Sequence, residues 1–87
     1  MFSKAGEYAM RAVVYIAQQS ENNQKVGVKD IAVAIKSPEA FTGKVMQQLA
    51  KKEIVTSVKG PYGGFLIKPE VLKIINMGDV IKVFDGD

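Results

Sequence analysis

Lys59-Gly60-Pro61-Tyr62-Gly63-Gly64-Phe65 lies between two short apolar runs, Ile54 to Val58 and Phe65 to Ile67. A Gly/Pro-rich tip between β-branched and aromatic runs predicts a β-hairpin. Its glycines permit the backbone values of a tight tip. Pro61 stiffens the tip, so less entropy is lost when it docks. Three helical patterns precede this hairpin, and a lysine opens its tip. Helices followed by a basic hairpin predict a winged helix-turn-helix. The expected fold is mainly α with a small β-hairpin: a three-helix core, a wing at 59–64 and a short fourth helix. It forms one domain over residues 1–87.

Working back from the hairpin, Phe41, Val45 and Leu49 recur at i, i+4 and i+8. That spacing predicts a third helix over 37–52. Ser37 is the expected N-cap, with Pro38 at the first helical position and Glu39 at the positive end of the dipole. Val28, Ile31, Ala32 and Ile35 predict a short second helix just before it. Two helices joined by so short a turn must cross sharply, as in a helix-turn-helix.

Further back, Ala5, Tyr8, Ala9, Ala12, Val13, Ile16 and Ala17 mark an amphipathic first helix. Met10, Val14 and Tyr15 widen its apolar face, which suits either burial on two sides or a dimer contact. Gln18 to Gln24 reads as a loop broken by Asn22-Asn23. Beyond the hairpin, Pro69-Glu70 is expected to end the second strand. Met77, Val80, Ile81 and Phe84 predict the fourth helix, ending near Gly86.

The chain has 87 residues, 12 Lys/Arg, 9 Asp/Glu and a net charge of +3. Eleven of the cations and six of the acids fall within residues 1–77, while the last ten residues hold three Asp and one Lys. A basic body with an acidic end fits a polyanion partner; an ordinary solvated lysine surface fits as well. The cysteine and histidine counts are both zero. This removes disulfides, thiolate metal ligands and the commonest general base, so the chain is not expected to be an enzyme. No signal peptide or membrane span is evident, and a cytoplasmic protein is the default expectation.

The outward side of the third helix carries Ala40, Gly43, Lys44, Gln47 and Lys51, flanked by Gln48. Glutamine pairs with adenine in the major groove, and lysine with guanine or phosphate. Ser37 and Thr42 are expected at phosphates near the helix start. Gly43 costs about 1 kcal/mol relative to alanine in a helix. Either something approaches the backbone there or the flaw is tolerated. In the tip, Lys59 suits the negative potential of a minor groove, and Gly60, Pro61 and Tyr62 accompany it. A plain structural hairpin is the competing account.

Other glycine motifs fail on context. Gly60-x-x-Gly63 joins strands rather than the helices of a KH clamp. Neither the phosphate-loop pattern nor Gly-x-Gly-x-x-Gly occurs. Asp79, Asp85 and Asp87 read as a solvated tail rather than a metal site.

Several stretches, in order, resemble the Rrf2 family of bacterial winged-helix transcription regulators. They are Gly6-Glu7-Tyr8-Ala9, Arg11-Ala12, Asp30-Ile31-Ala32, Leu49, Val55, Val58 to Phe65, and Met77-Gly78-Asp79-Val80-Ile81. The resemblance runs from Ser3 to Phe84. It implies a homodimeric, sequence-specific binder of double-stranded DNA, usually a repressor. It also implies that the helix matching Ser37 to Lys52 reads the major groove, that the wing at Lys59 to Gly63 reaches the minor groove, and that Lys4 meets phosphate. Many members bind an iron–sulfur cluster through cysteines beyond the region matched here, so no cofactor is expected in this chain. Members also dimerise through a long helix further on, so a truncated chain is the expectation. Ala40 and Gly43 stand where members are often polar. That departure keeps a second reading open: a winged-helix protein–protein interaction module without DNA binding.

Overall fold

A computed structural model describes residues 3–22 and 24–85. The elements run α1 (Lys4–Ser20), α2 (Val28–Ile35), α3 (Glu39–Lys51), β1 (Thr56–Val58), β2 (Gly64–Leu66), α4 (Pro69–Ile74) and α5 (Met77–Asp85). The winged helix-turn-helix expectation holds, with one more helix than the sequence reading allowed. Pro69 occupies the first turn of α4, and Glu70 lies at its positive end. These are helix-start signals, whereas the sequence reading took Pro69-Glu70 only as a strand stop. The helix over 77–85 is therefore the fifth.

α1 is the spine of the molecule. Ala9, Ala12, Val13 and Ile16 are buried on it, and it packs against α2, α3, β2 and α5. Its start is capped by Ser3, whose Oγ accepts from Gly6 N–H at 3.0 Å. The helix runs to Ser20, into the predicted loop. Ser20 Oγ accepts from Ile67 N–H at 3.0 Å, which ties the end of α1 to the exit of the hairpin. Asn23, half of the expected breaker, lies outside the described residues.

Both helices of the helix-turn-helix end without glycine. Lys36 takes φ 57° after α2. Ser37 N–H then donates to Ala32 O at 2.9 Å and Lys36 N–H to Val33 O at 3.3 Å. Glu53 takes φ 62° after α3, with Ile54 N–H on Leu49 O and Glu53 N–H on Ala50 O, both at 3.0 Å. Each pair of bonds is the six-to-one and five-to-two pattern that closes a helix by a left-handed residue. The short, sharp turn expected between α2 and α3 follows from the first of them.

The start of α3 corrects the cap assignment. The helix begins at Glu39 with Pro38 as its N-cap residue, and no side chain caps it. Ser37 lies one position too early. Its hydroxyl is 3.4 Å from Pro38 O, too long for a firm O–H···O bond.

β1 and β2 pair antiparallel, with Thr56 opposite Leu66, Ser57 opposite Phe65 and Val58 opposite Gly64. Val26 adds a bridge to the other edge of β2: Phe65 N–H donates to Val26 O at 2.7 Å and Val26 N–H to Phe65 O at 3.0 Å. A lone two-stranded hairpin is marginal in water, and this third segment anchors the wing to the helical body. Two glycines make the geometry possible. A Cβ on Gly63 would fall on the Val58 carbonyl oxygen, and one on Gly64 would meet Val26 O at 2.8 Å.

At the far end, Asn76 and Asp79 cap α5 reciprocally. Asp79 N–H donates to Asn76 Oδ1 at 3.0 Å and Asn76 N–H to Asp79 Oδ2 at 3.2 Å. Val80 is fully buried. Asp85 Oδ2 accepts from Ser3 N–H at 3.2 Å. Asp79 and Asp85 are thus capping groups rather than a loose acidic tail; Gly86 and Asp87 lie outside the described residues.

Candidate nucleic-acid interface

α3 separates two faces cleanly. Thr42, Val45, Met46 and Leu49 are buried, at i, i+3, i+4 and i+7. Ala40, Lys44, Gln47, Gln48 and Lys51 are exposed. The outward side therefore matches the sequence expectation, apart from Gly43, which is half-buried. A Cβ at Gly43 would meet nothing within 4 Å. No part of the described chain requires glycine at that position.

Thr42 is the correction on this helix. It is 0% exposed, and its Oγ1 donates to Pro38 O at 2.8 Å. The hydroxyl faces the body and serves the first turn, so it does not reach a phosphate. The signal was present in the sequence: Thr42 continues the i, i+3, i+4, i+7 stripe of Val45, Met46 and Leu49. The sequence reading centred the buried line on Phe41 instead. Phe41 is half-buried at the margin of the core.

The wing tip presents Lys59, Gly60, Pro61 and Tyr62 to solvent. Tyr62 is 88% exposed. Gly63 N–H donates to Gly60 O at 3.0 Å, which closes the tip. An aromatic side chain so exposed stabilises nothing by burial, but it is available for stacking or for hydrogen bonding through its hydroxyl.

α3, its flanks and the wing carry exposed cations. Lys44, Lys51 and Lys59 are exposed, as are Lys36 and Lys52. Among the described residues the ion pair found is Arg11 with Glu7, at 4.0 Å on α1. The lysines of α3 and the wing thus keep uncompensated charge, which is what release of counterions from a polyanion requires.

Lys4 stands at the start of α1, with Nζ 5.9 Å from the Tyr8 ring centroid. Tyr8 in turn meets Phe41 of α3 edge-to-face, with centroids 5.6 Å apart and planes at 75°. That contact brings the basic start of α1 against the first turns of α3. Arg11 joins the same ring from the other direction along α1, with Cζ at 5.4 Å. In the sequence Arg11 stands out only within the Arg11-Ala12 stretch of the family resemblance. Its i+3 relation to Tyr8 was the available signal.

An iron–sulfur cluster needs thiolate ligands, with histidine as the occasional substitute. These 87 residues contain no cysteine and no histidine. Among the described residues no three acids gather as metal ligands. The residues present do not fit such a cluster. No described helix is long and apolar enough to cross a membrane.

The Rrf2 family model, described as "Iron-dependent Transcriptional regulator", matches residues 2–87. A relative from Aquifex aeolicus, named as an HTH-type transcriptional regulator, is 41% identical over 87 residues, covering 100% of this chain and 58% of its own. NsrR of Bacillus licheniformis, an HTH-type transcriptional regulator, is 28% identical over 81 residues, covering 93% of this chain and 55% of its own. Among solved structures, CymR, the global cysteine regulator of B. subtilis, superposes with a TM-score of 0.85 at 25% identity, over 100% of this chain and 66% of that one. IscR of T. potens superposes with a TM-score of 0.84 at 30% identity, over 99% and 61%. The chain thus spans little more than half the length of the curated relatives it matches.

Proposed function

The chain belongs to the Rrf2 family of transcriptional regulators, and on that premise we propose that it binds double-stranded DNA as the reading head of a homodimeric, cytoplasmic repressor and catalyses no reaction. α3 enters the major groove. Lys44 and Gln47 meet base edges, with Gln48 beside them, and Ser37 and Lys51 meet the backbone. The wing tip, with Lys59, Gly60, Pro61 and Tyr62, reaches the adjacent groove. Lys4 holds a phosphate next to the start of α3. Thr42 has no part in the contact, because its hydroxyl is committed to Pro38.

The observation that carries this reading is the division of α3. One stripe is buried to fix the helix, and the opposite stripe offers exposed donors that find no side-chain partner among the described residues. The deciding experiment is a salt titration of binding to labelled duplex DNA by fluorescence anisotropy. A linear fall of log affinity with log salt, steep enough for several phosphates, is expected. Salt-independent or undetectable binding rejects the proposal.

One feature favours the competing reading. Ala40 is exposed and Gly43 faces open space, so the start of the outward stripe is bare of polar groups. A protein interaction module would retain a protein partner in a pull-down while failing the DNA titration.

A further inference from the structure

Lys4, Tyr8 and Arg11 fall at i, i+4 and i+7 of α1, in one stripe. Both cations lie over the same tyrosine ring, at 5.9 Å and 5.4 Å from its centroid. These distances are inside the range in which a cation is attracted to a ring face. The counter-charge is meagre. Glu7 stands 4.0 Å from Arg11, with both side chains about half exposed, a pairing worth little in water. Two cations thus share one aromatic seat, and the ion pair found for them among the described residues is this weak one. Tyr8 is not free to carry them elsewhere, because its ring rests edge-on against Phe41 of α3.

Drawing two extended cationic side chains onto one ring restricts their rotamers. A polyanion lying along this stripe of α1 meets both charges and finds much of that ordering already done. Arginine adds a planar fork of donors suited to a phosphate. Phe41 places the pair beside the first turns of the helix proposed to read DNA.

We infer that Lys4 and Arg11 form a two-cation grip on the DNA phosphate backbone, seated on Tyr8, and that Tyr8 is the positioning residue that holds this grip against α3 through Phe41. The inference rests on the DNA-binding reading and assigns roles to Arg11 and Tyr8 within it. The grip carries no sequence information; it fixes how deeply and at what register α3 sits.

The test uses the chain with a fluorescein-labelled random-sequence duplex, anisotropy being read across a range of salt. Arg11→Ala is expected to lower the slope of log affinity against log salt by about 0.9, the value for one phosphate contact on duplex DNA. Arg11→Gln, which keeps most of the packing without the charge, gives the same loss. Arg11→Lys keeps the slope. Tyr8→Phe keeps both slope and affinity, whereas Tyr8→Leu, with every charge intact, weakens binding several-fold. Circular-dichroism melts identify any variant that has lost the fold, and each variant is read below its own melting temperature; Arg11→Gln and Tyr8→Leu then decide.

An unchanged slope in Arg11→Ala and Arg11→Gln overturns the grip. Tyr8→Leu binding like the original chain overturns the positioning role. If the unmodified chain shows no salt-dependent binding, the DNA reading falls and the grip with it. If that binding is present and only the arginine variants fail to respond, the grip alone falls.

Discussion

Asp85 accepts a hydrogen bond from the backbone N–H of Ser3 across 82 positions of sequence, at 3.2 Å. The last turn of α5 thereby meets the N-cap of α1. Ser3 is itself the residue whose hydroxyl caps Gly6. A carboxylate here also faces the positive end of the α1 dipole. Asp85→Ala is expected to destabilise the fold by about 0.5 kcal/mol, a small figure because the contact is exposed. The loss should shrink at high salt. Urea denaturation of both forms at two ionic strengths measures it; equal stability at low salt would remove the clasp.

Thr42 separates a capping role from a contact role. Thr42→Val keeps the shape and deletes the bond to Pro38 O. Stability should fall by about 1 kcal/mol, while the salt slope of DNA binding stays as it was. A slope reduced by about one unit would return Thr42 to the phosphate contacts.

Glu53 sits at φ 62°, where a side chain costs about 1–2 kcal/mol. Glycine removes that cost but loses more backbone entropy on folding, by up to about 1 kcal/mol. Glu53→Gly is therefore expected to stabilise the chain by about 0.5–1 kcal/mol, seen as a higher urea midpoint at unchanged slope. A lower midpoint would show that the Glu53 side chain makes a contact of its own.

Gly63 has no room for a side chain, because a Cβ there would fall on the Val58 carbonyl oxygen. Gly63→Ala should destabilise by more than about 1 kcal/mol and loosen the wing first. Hydrogen exchange read at Phe65 N–H, which bonds Val26 O, should quicken more than exchange within α1. Uniform quickening would mean that the wing and the body unfold together.

On the DNA side, Gln47 and Lys59 should fail in different ways. Gln47→Ala is expected to relax preference at one base pair, at a cost of about 1–3 kcal/mol. Lys59→Ala should weaken all sequences alike and lower the salt slope by about one unit. Site selection checks Gln47→Ala, and a salt titration of binding by anisotropy checks Lys59→Ala. An unchanged motif for Gln47→Ala would remove it from base reading, and an unchanged slope for Lys59→Ala would remove the wing contact.

The elements were largely legible because their signals are local. Three-four spacing marked α1, α2, α3 and α5, and the Gly/Pro tip between apolar runs marked the hairpin. The outward stripe of Ala40, Lys44, Gln47 and Lys51 followed from rotation about one helix axis, and the exposed tip from its composition. α4 was missed although Pro69 and Glu70 carry start signals, because six residues offer too little periodicity to be heard over the strand before them.

Long-range relations were another matter. Neither helix of the helix-turn-helix has a glycine stop; Lys36 and Glu53 hold left-handed backbone at turns closed by paired backbone hydrogen bonds. Val26 joins β2 only once Gly64 lets the two backbones approach. Asp85 finds Ser3, and Lys4 and Arg11 share Tyr8 against Phe41, only when α5 and α3 have docked on α1. Chain order alone determined which segments are helix, strand and tip, since propensity and periodicity act between near neighbours. The folded body decided which polar groups face inward, which strand is completed from outside and which charges meet, since those depend on residues brought together by burial of a common apolar face.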